Sequence, residues 1–185
     1  MPATQTLVVI TGPPGSGKSS LARALGARLQ VPVYAKDSIK EALFDCLGEG
    51  DREWSRRLSE AAYGVLFRLA GESLDAGGSA IVEGNFRPQH AAAVAVLANR
   101  PDLRAVQLVL FAPPRVLVER IRARAADPGR HKGHADLGLL DELREDLERG
   151  VALPLSIDGV RIPVDTSMIE SVLPAAVDRV AALVG

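Results

Sequence analysis

Apolar positions along this chain follow two rhythms: short, mostly apolar runs, and longer stretches spaced as on one face of a helix. The runs at 7–10, 31–35, 80–83, 105–111 and 160–164 read as five strands. The fourth, AVQLVLF from Ala105 to Phe111, is apolar enough to be covered on both faces. Helical spacing opens at Lys18-Ser19 and resumes at Ile39, Ala42, Leu43 and Leu47, with Asp37 or Ser38 in place to cap that second helix. A long helix starts at Asp51, carries Trp54, Leu58, Ala61, Ala62, Val65, Leu66, Leu69 and Leu74, and stops at Gly77-Gly78. Further helices are expected at 89–98, after Pro113-Pro114, through Leu137, Leu140, Leu143 and Leu147, and from about Ile169. Strands alternating with helices predict an α/β fold with a parallel sheet.

Between the first strand and the first helix lies G-x-x-x-x-G-K-S, from Gly12 to Ser19. Glycines there let successive backbone N–H groups point into one anion-sized hollow, and the helix N-terminus adds unpaired donors and the positive end of its dipole. Lys18 supplies a mobile charge for β- and γ-phosphates, and the Ser19 hydroxyl suits Mg²⁺. The expected nucleotide-binding residues are therefore Gly12, Pro13, Pro14, Gly15, Ser16, Gly17, Lys18, Ser19 and Ser20. The chemistry points to a nucleoside triphosphate.

Composition narrows the setting without changing that reading. The 185 residues suit one domain, and a formal net charge of −1 gives no electrostatic case for a nucleic-acid partner. The single cysteine, Cys46, excludes an internal disulfide framework and suits a reducing cytoplasm. The start of the chain lacks a basic n-region, and no apolar run is long enough to span a bilayer, so neither a signal peptide nor a membrane anchor is expected.

Several other residues stand where ligands bind in parallel sheets, beyond the carboxyl ends of strands. Asp37, after the second strand, is the candidate base for an acceptor hydroxyl; Lys40 lies three residues on, either near an anionic acceptor or solvated. Glu83 ends the third strand and is a candidate to hold Mg²⁺ through water, and Arg87 beyond it suits an acceptor or phosphate oxygens. Arg120 and Arg124 share a helix face, Arg120 placed for the base and Arg124, with Arg130 in the following loop, for the γ-phosphoryl group; Arg122 points elsewhere. His131, His134 and Asp136 lack a fourth ligand for zinc, and a lid histidine touching phosphate or acceptor is the better reading. The D-x-x-G at Asp75–Gly78 and the N-R-P-D at Asn99–Asp102 precede strands rather than follow them, so they read as turns and not as guanine-reading motifs.

These residues together resemble the small P-loop kinases with nucleoside monophosphate kinase-like folds. Within them the chain is most similar to small-molecule kinases related to chloramphenicol phosphotransferase, gluconate and shikimate kinases, zeta toxins and polynucleotide kinase. Gly12–Ser19 match the phosphate loop, and Lys36-Asp37-Ser38-Ile39-Lys40 looks like a D-x-[IL]-[RK] step. The segment from Ile81 to Arg87 is similar to a strand-D-G-x-x-R segment with Glu for Asp, and Glu119–Arg124 resembles an E-R-I-x-x-R lid opening. Asp165, in Val164-Asp165-Thr166-Ser167, falls where such kinases line the adenine pocket. The resemblance implies a three-layer fold with sheet order 2-3-1-4-5, a small helical lid at about 125–136, an acceptor region at about 37–76 and use of ATP with Mg²⁺. The expected activity is transfer of the γ-phosphate to a small-molecule hydroxyl. Two alternatives stay open: a nucleotide or RNA 5′-hydroxyl kinase, and a nucleotide-dependent switch with no acceptor. No acceptor-binding signature names the acceptor, and the sequence leaves the oligomeric state open.

Overall fold

The computed structural model describes residues 5–133, 140, 144–150 and 154–184. Five parallel strands form one sheet in the order β2-β3-β1-β4-β5. They are β1 (Gln5–Thr11), β2 (Val33–Ala35), β3 (Ala80–Glu83), β4 (Leu103–Phe111) and β5 (Val160–Asp165). Helices α1 (Lys18–Leu29), α2 (Lys36–Leu47), α3 (Arg52–Asp75), α4 (Ala91–Ala98), α5 (Pro114–Ala125), α6 (Arg144–Arg149) and α7 (Ile169–Val184) surround it. The expected α/β class and strand order are what the chain adopts.

Strand alternation divides the core into two layers. Val8, Ile10, Val106, Leu108 and Leu110 pack with Leu21 and Leu25 of α1 and Val177 and Val180 of α7. On the opposite face Leu7, Val9 and Val82 meet Leu66, Ala70 and Leu74 of α3 and Val94 and Leu97 of α4. Strand β4 is covered on both sides, as its continuous apolar run requires. A smaller cluster of Ala112, Leu117, Ile121 and Leu147, with Leu140 against it, seats α5 and α6 beside the sheet. No helix among the described residues is long and apolar enough to cross a membrane.

Several boundaries differ from the pattern-based reading. Strand β2 begins at Val33, not Val31, because Pro32 contributes only its carbonyl, to the Ile81 N–H. The chain passes from β2 into α2 without a connecting residue, so Ala35 occupies the cap position and neither Asp37 nor Ser38 caps the helix. Asp37 instead lies in the first turn. The apolar face expected for α2 is largely uncovered: Ala42 and Leu47 are exposed, and the buried residue of α2 is Lys40. In α3 the start at Asp51 holds, its carboxylate accepting the Trp54 N–H at 2.8 Å. Its buried stripe is Leu58, Ala62, Leu66, Ala70 and Leu74, while Ala61, Val65 and Leu69 turn outward. The expected helix at 89–98 becomes a 3₁₀ turn, Pro88–His90, followed by α4. Strand β4 starts two residues early, at Leu103, and β5 extends one residue to Asp165. Of the helix expected from Leu137, the described part is Arg144–Arg149; Leu137 and Leu143 lie outside the described residues.

Candidate active site

Register places the site. Ile10 of β1 and Ala35 of β2 both pair with Glu83 of β3, so three strands end level. The segments leaving these strands are thereby set side by side: Gly12 after β1, Lys36-Asp37 after β2, Gly84 after β3. With strands about 4.8 Å apart, Asp37 stands about two strand spacings from the phosphate loop.

The loop from Gly12 to Gly17 is bent as an anion cradle needs. Gly15 and Gly17 have φ of 79° and 82°, the left-handed region that disfavours side chains. A Cβ on Gly15 would lie 2.9 Å from the Leu117 carbonyl of α5, so the loop and α5 are in direct contact. Gly15→Ala is therefore expected to lower the melting temperature by at least about 3 °C, through positive φ and this collision. Scanning calorimetry measures it, and an unchanged transition would contradict the stated loop geometry.

Lys18 turns its amine inward, donating to the carbonyls of Gly12 and Pro13, each at 3.0 Å. Burial holds its pKa below the usual lysine range; Glu83 and Asp37 oppose this, while Arg124 and Lys36 add to the lowering. Those five side chains therefore share one electrostatic environment. Ser19 donates its hydroxyl to Glu83 at 3.2 Å. Glu83 is 2% exposed, and burial raises its pKa, opposed by Lys18 and reinforced by Asp37. A hydroxyl and a carboxylate held together are hard oxygen ligands, the donor set that Mg²⁺ takes beside phosphate oxygens. The Ser16 hydroxyl is enclosed by the loop and has no hydrogen-bond partner among the described residues. The residues present thus fit a phosphate-bound divalent cation.

Asp37 is half exposed, with the Lys36 amine 3.1 Å from its carboxylate. Behind it lies an aromatic group that local sequence pattern does not reveal. Tyr63 of α3 stacks with His90 at 4.0 Å and lies against Phe86 and Phe67, and its hydroxyl donates to the Asn85 carbonyl at 2.9 Å. Burial, then the carboxylates of Asp37 and Glu83, raise the Tyr63 pKa, so it stays a neutral donor. This stack shapes the turn after β3, where Gly84 sits against Tyr63 and Lys36. Burial lowers the His90 pKa, and Arg87, exposed on that turn, adds to the lowering while opposing the rise at Tyr63. The available signal was a tyrosine and a phenylalanine four apart on α3, a pair that meets on one helix face.

The remaining expected residues are spread over α2, α5 and the turns beside them. Lys40 is 8% exposed and donates to Ser55 at 2.8 Å, so it is held between α2 and α3 rather than solvated. Arg120 donates to the carbonyls of Gly15, Thr166 and Ser167, tying the phosphate loop to the β5–α7 turn. Asp165 accepts the Ser167 N–H and hydroxyl, which lowers its pKa and shapes that same turn. Arg122 is exposed, as expected, whereas Arg124 and Arg130 are half-buried. His131 pairs with Asp45 of α2 at 3.0 Å. His134 and Asp136 lie outside the described residues, and no group of three or more metal-ligating side chains occurs among the described ones.

Residues 7–149 match the family model AAA_33, described as an AAA domain. The chain belongs to this family. Its structure is similar to that of a candidate kinase from Chloroflexus aurantiacus, at 37% identity and a TM-score of 0.85, covering 97% of this chain and 98% of that one. A gluconokinase from Sinorhizobium meliloti (20% identity, TM-score 0.59, covering 100% and 95%) shares the fold. So does a shikimate kinase from Bacteroides thetaiotaomicron (20% identity, TM-score 0.59, covering 96% and 97%). An uncharacterized protein of Mycobacterium tuberculosis, Rv2004c, is 33% identical over 131 residues, 66% of this chain. That stretch spans only 26% of the mycobacterial protein's length. The fold is that of the small P-loop kinases, and the sequence family agrees with it.

Proposed function

We propose that this protein is an ATP-dependent kinase that moves the γ-phosphate of ATP to a hydroxyl of a small-molecule acceptor in the cytoplasm. The observation that carries the reading is the placement of Asp37. A solvent-accessible carboxylate at the end of β2 shares the electrostatic environment of Lys18, beside the phosphate loop. A nucleotide switch has no use for a carboxylate there. A hydroxyl kinase needs one, to orient the acceptor and take its proton. The Chloroflexus relative and the gluconokinase and shikimate kinase with the same fold support this choice.

In this reading residues 1–185 form a single kinase domain, with the lid at about 125–136 and acceptor region at about 37–76. The loop amides and Lys18 hold the phosphates, Lys18 leaving the Gly12 and Pro13 carbonyls to do so. Ser19, and Glu83 through water, hold Mg²⁺, which when bound neutralises charge on the β- and γ-phosphate oxygens. Arg124 and Arg130 face the γ-phosphoryl group, Arg120 and Asp165 bound the adenine side, and Asp37 and Arg87 meet the acceptor. Lys40 fixes α2 to α3, keeping Asp37 in place.

Lys18→Ala is expected to weaken ATP·Mg²⁺ binding by about 100-fold, the value of a charge-assisted contact, with folding intact. Titration calorimetry reads the affinity, and unchanged affinity would contradict the phosphate-loop assignment. The acceptor is found by measuring ADP release with sugars, sugar acids, nucleosides, antibiotics and short RNAs bearing a 5′-hydroxyl. One class of small hydroxyl compound is expected to raise the rate above the acceptor-free level. A rise with RNA alone would point to a polynucleotide kinase, and no rise with any compound to a switch.

A further inference from the structure

The segment following α5 grips α2 through contacts that the phosphate, metal and acceptor roles do not use. After α5 the chain turns tightly, Asp127 accepting the N–H of Gly129 at 2.9 Å through its carboxylate and that of Arg130 at 3.0 Å through its carbonyl. The next residue, His131, reaches α2. Its Nδ1 accepts the Gly133 N–H at 3.0 Å, so Nε2 carries the hydrogen and donates to Asp45 Oδ1 at 3.0 Å. The imidazole meets the Phe44 ring edge-on, with centroids 5.4 Å apart and planes at 80°. Gly133 is buried, and the Phe44 ring lies 3.2 Å from where its Cβ would be. Three kinds of contact therefore join residues 131–133 to residues 44–45.

The position on α2 gives this contact its meaning. Phe44 is seven residues after Asp37, two helical turns, so the two lie on nearly the same face about 10 Å apart. One helix thus carries the acceptor carboxylate at its start and the seat of the lid segment near its end. Arg130 immediately precedes the histidine that makes the contact.

We propose that His131, Phe44 and Asp45 form a clasp in which His131 is a positioning residue, seating residues 130–133 on α2 and so fixing Arg130 relative to Asp37. The clasp links the arginine side of the site to the acceptor side through α2. Its effect on rate rests on the kinase reading; its existence does not.

The test compares Asp45→Ala, Asp45→Asn, His131→Asn and His131→Ala in the full chain. Hydrogen exchange of amides 128–133 is followed without ligand, and kcat and KM are measured on the acceptor that stimulates ADP release or on residual ATP hydrolysis. Asp45→Ala removes an exposed partner from α2 and leaves the lid sequence unchanged. His131→Asn keeps an oxygen to accept the Gly133 N–H but falls short of Asp45, which separates the clasp from the turn within the loop. Asp45→Asn keeps an acceptor for Nε2–H and is expected to behave as wild type.

Asp45→Ala and both His131 variants are expected to speed exchange at 130–133 by at least about 10-fold. They are also expected to lower kcat by about 10- to 100-fold, with KM for ATP changed less than about twofold. Unchanged exchange in Asp45→Ala and His131→Asn would overturn the clasp. Faster exchange with wild-type kcat would overturn the positioning role. A wild-type protein that neither transfers phosphate nor hydrolyses ATP would count against the kinase reading, while the exchange data would still decide the clasp.

Discussion

Asp37→Asn is expected to lower phosphoryl transfer to a hydroxyl acceptor by about 10²- to 10⁴-fold, with ATP affinity little changed. The exchange preserves size, and Asp37 is not the cap of α2, so no capping bond is lost. Its ion pair with Lys36 is half exposed at 3.1 Å, and such pairs contribute about 0–1 kcal/mol. Folding should therefore survive. The loss is of the group that accepts the acceptor's proton, at a pH where an alcohol does not ionise alone. An acceptor that is already a phosphate anion needs no such help, so a monophosphate kinase would lose far less. Rates and affinities of wild type and mutant, measured on the same acceptor, decide it. Near-normal transfer to a hydroxyl would remove Asp37 from the mechanism.

Arg124→Ala is expected to lower kcat by about 10³-fold, more than it weakens ATP binding. Arg124 lies on α5 one turn beyond Arg120, which is anchored to the Gly15, Thr166 and Ser167 carbonyls. That anchor keeps the α5 face against the phosphate loop. From there the Arg124 guanidinium depresses the Lys18 pKa. Burial is the larger cause of that shift, and the Arg124 charge adds to it in the ligand-free protein. The arrangement becomes favourable when an anion is placed between Lys18 and Arg124, most of all the charge-rich phosphoryl group of the transition state. Removing Arg124 should therefore lower the rate more than the ATP affinity. Steady-state kinetics with calorimetry separates these effects, and normal turnover would return Arg124 to the protein surface.

The amino-acid sequence makes some of this legible and leaves some of it hidden, for physical reasons. Gly12, Lys18 and Ser19 are readable because a phosphate cradle is local: spacing along the chain fixes spacing in the loop. Strands β1, β3 and β4 are readable because each is a largely buried apolar run. Strands β2 and β5 lie at the sheet edges and are only partly buried, and the parallel order follows from family resemblance. Helix α2 departs from its pattern because periodicity finds a face without showing whether anything covers it. Its apolar residues face outward or lie half-covered, and Lys40 takes the buried place through Ser55. Tyr63 and His90 meet across 27 positions of sequence, and His131 and Asp45 across 86. Such pairs follow from tertiary packing, and no local pattern marks them. Asp37 lies between these extremes: its place at a strand end is legible, but its capping role is not the one the structure gives it.

In the proposed reaction phosphate leaves ATP for an acceptor rather than for water. Phosphorus-31 NMR of the reaction, with ATP, Mg²⁺ and the acceptor that stimulates ADP release, tests it most directly. A phosphomonoester resonance is expected to grow in step with ADP in the wild-type protein and to be nearly absent with Asp37→Asn. Inorganic phosphate as the sole new product, formed at equal rates by wild type and mutant, would contradict the proposed reaction.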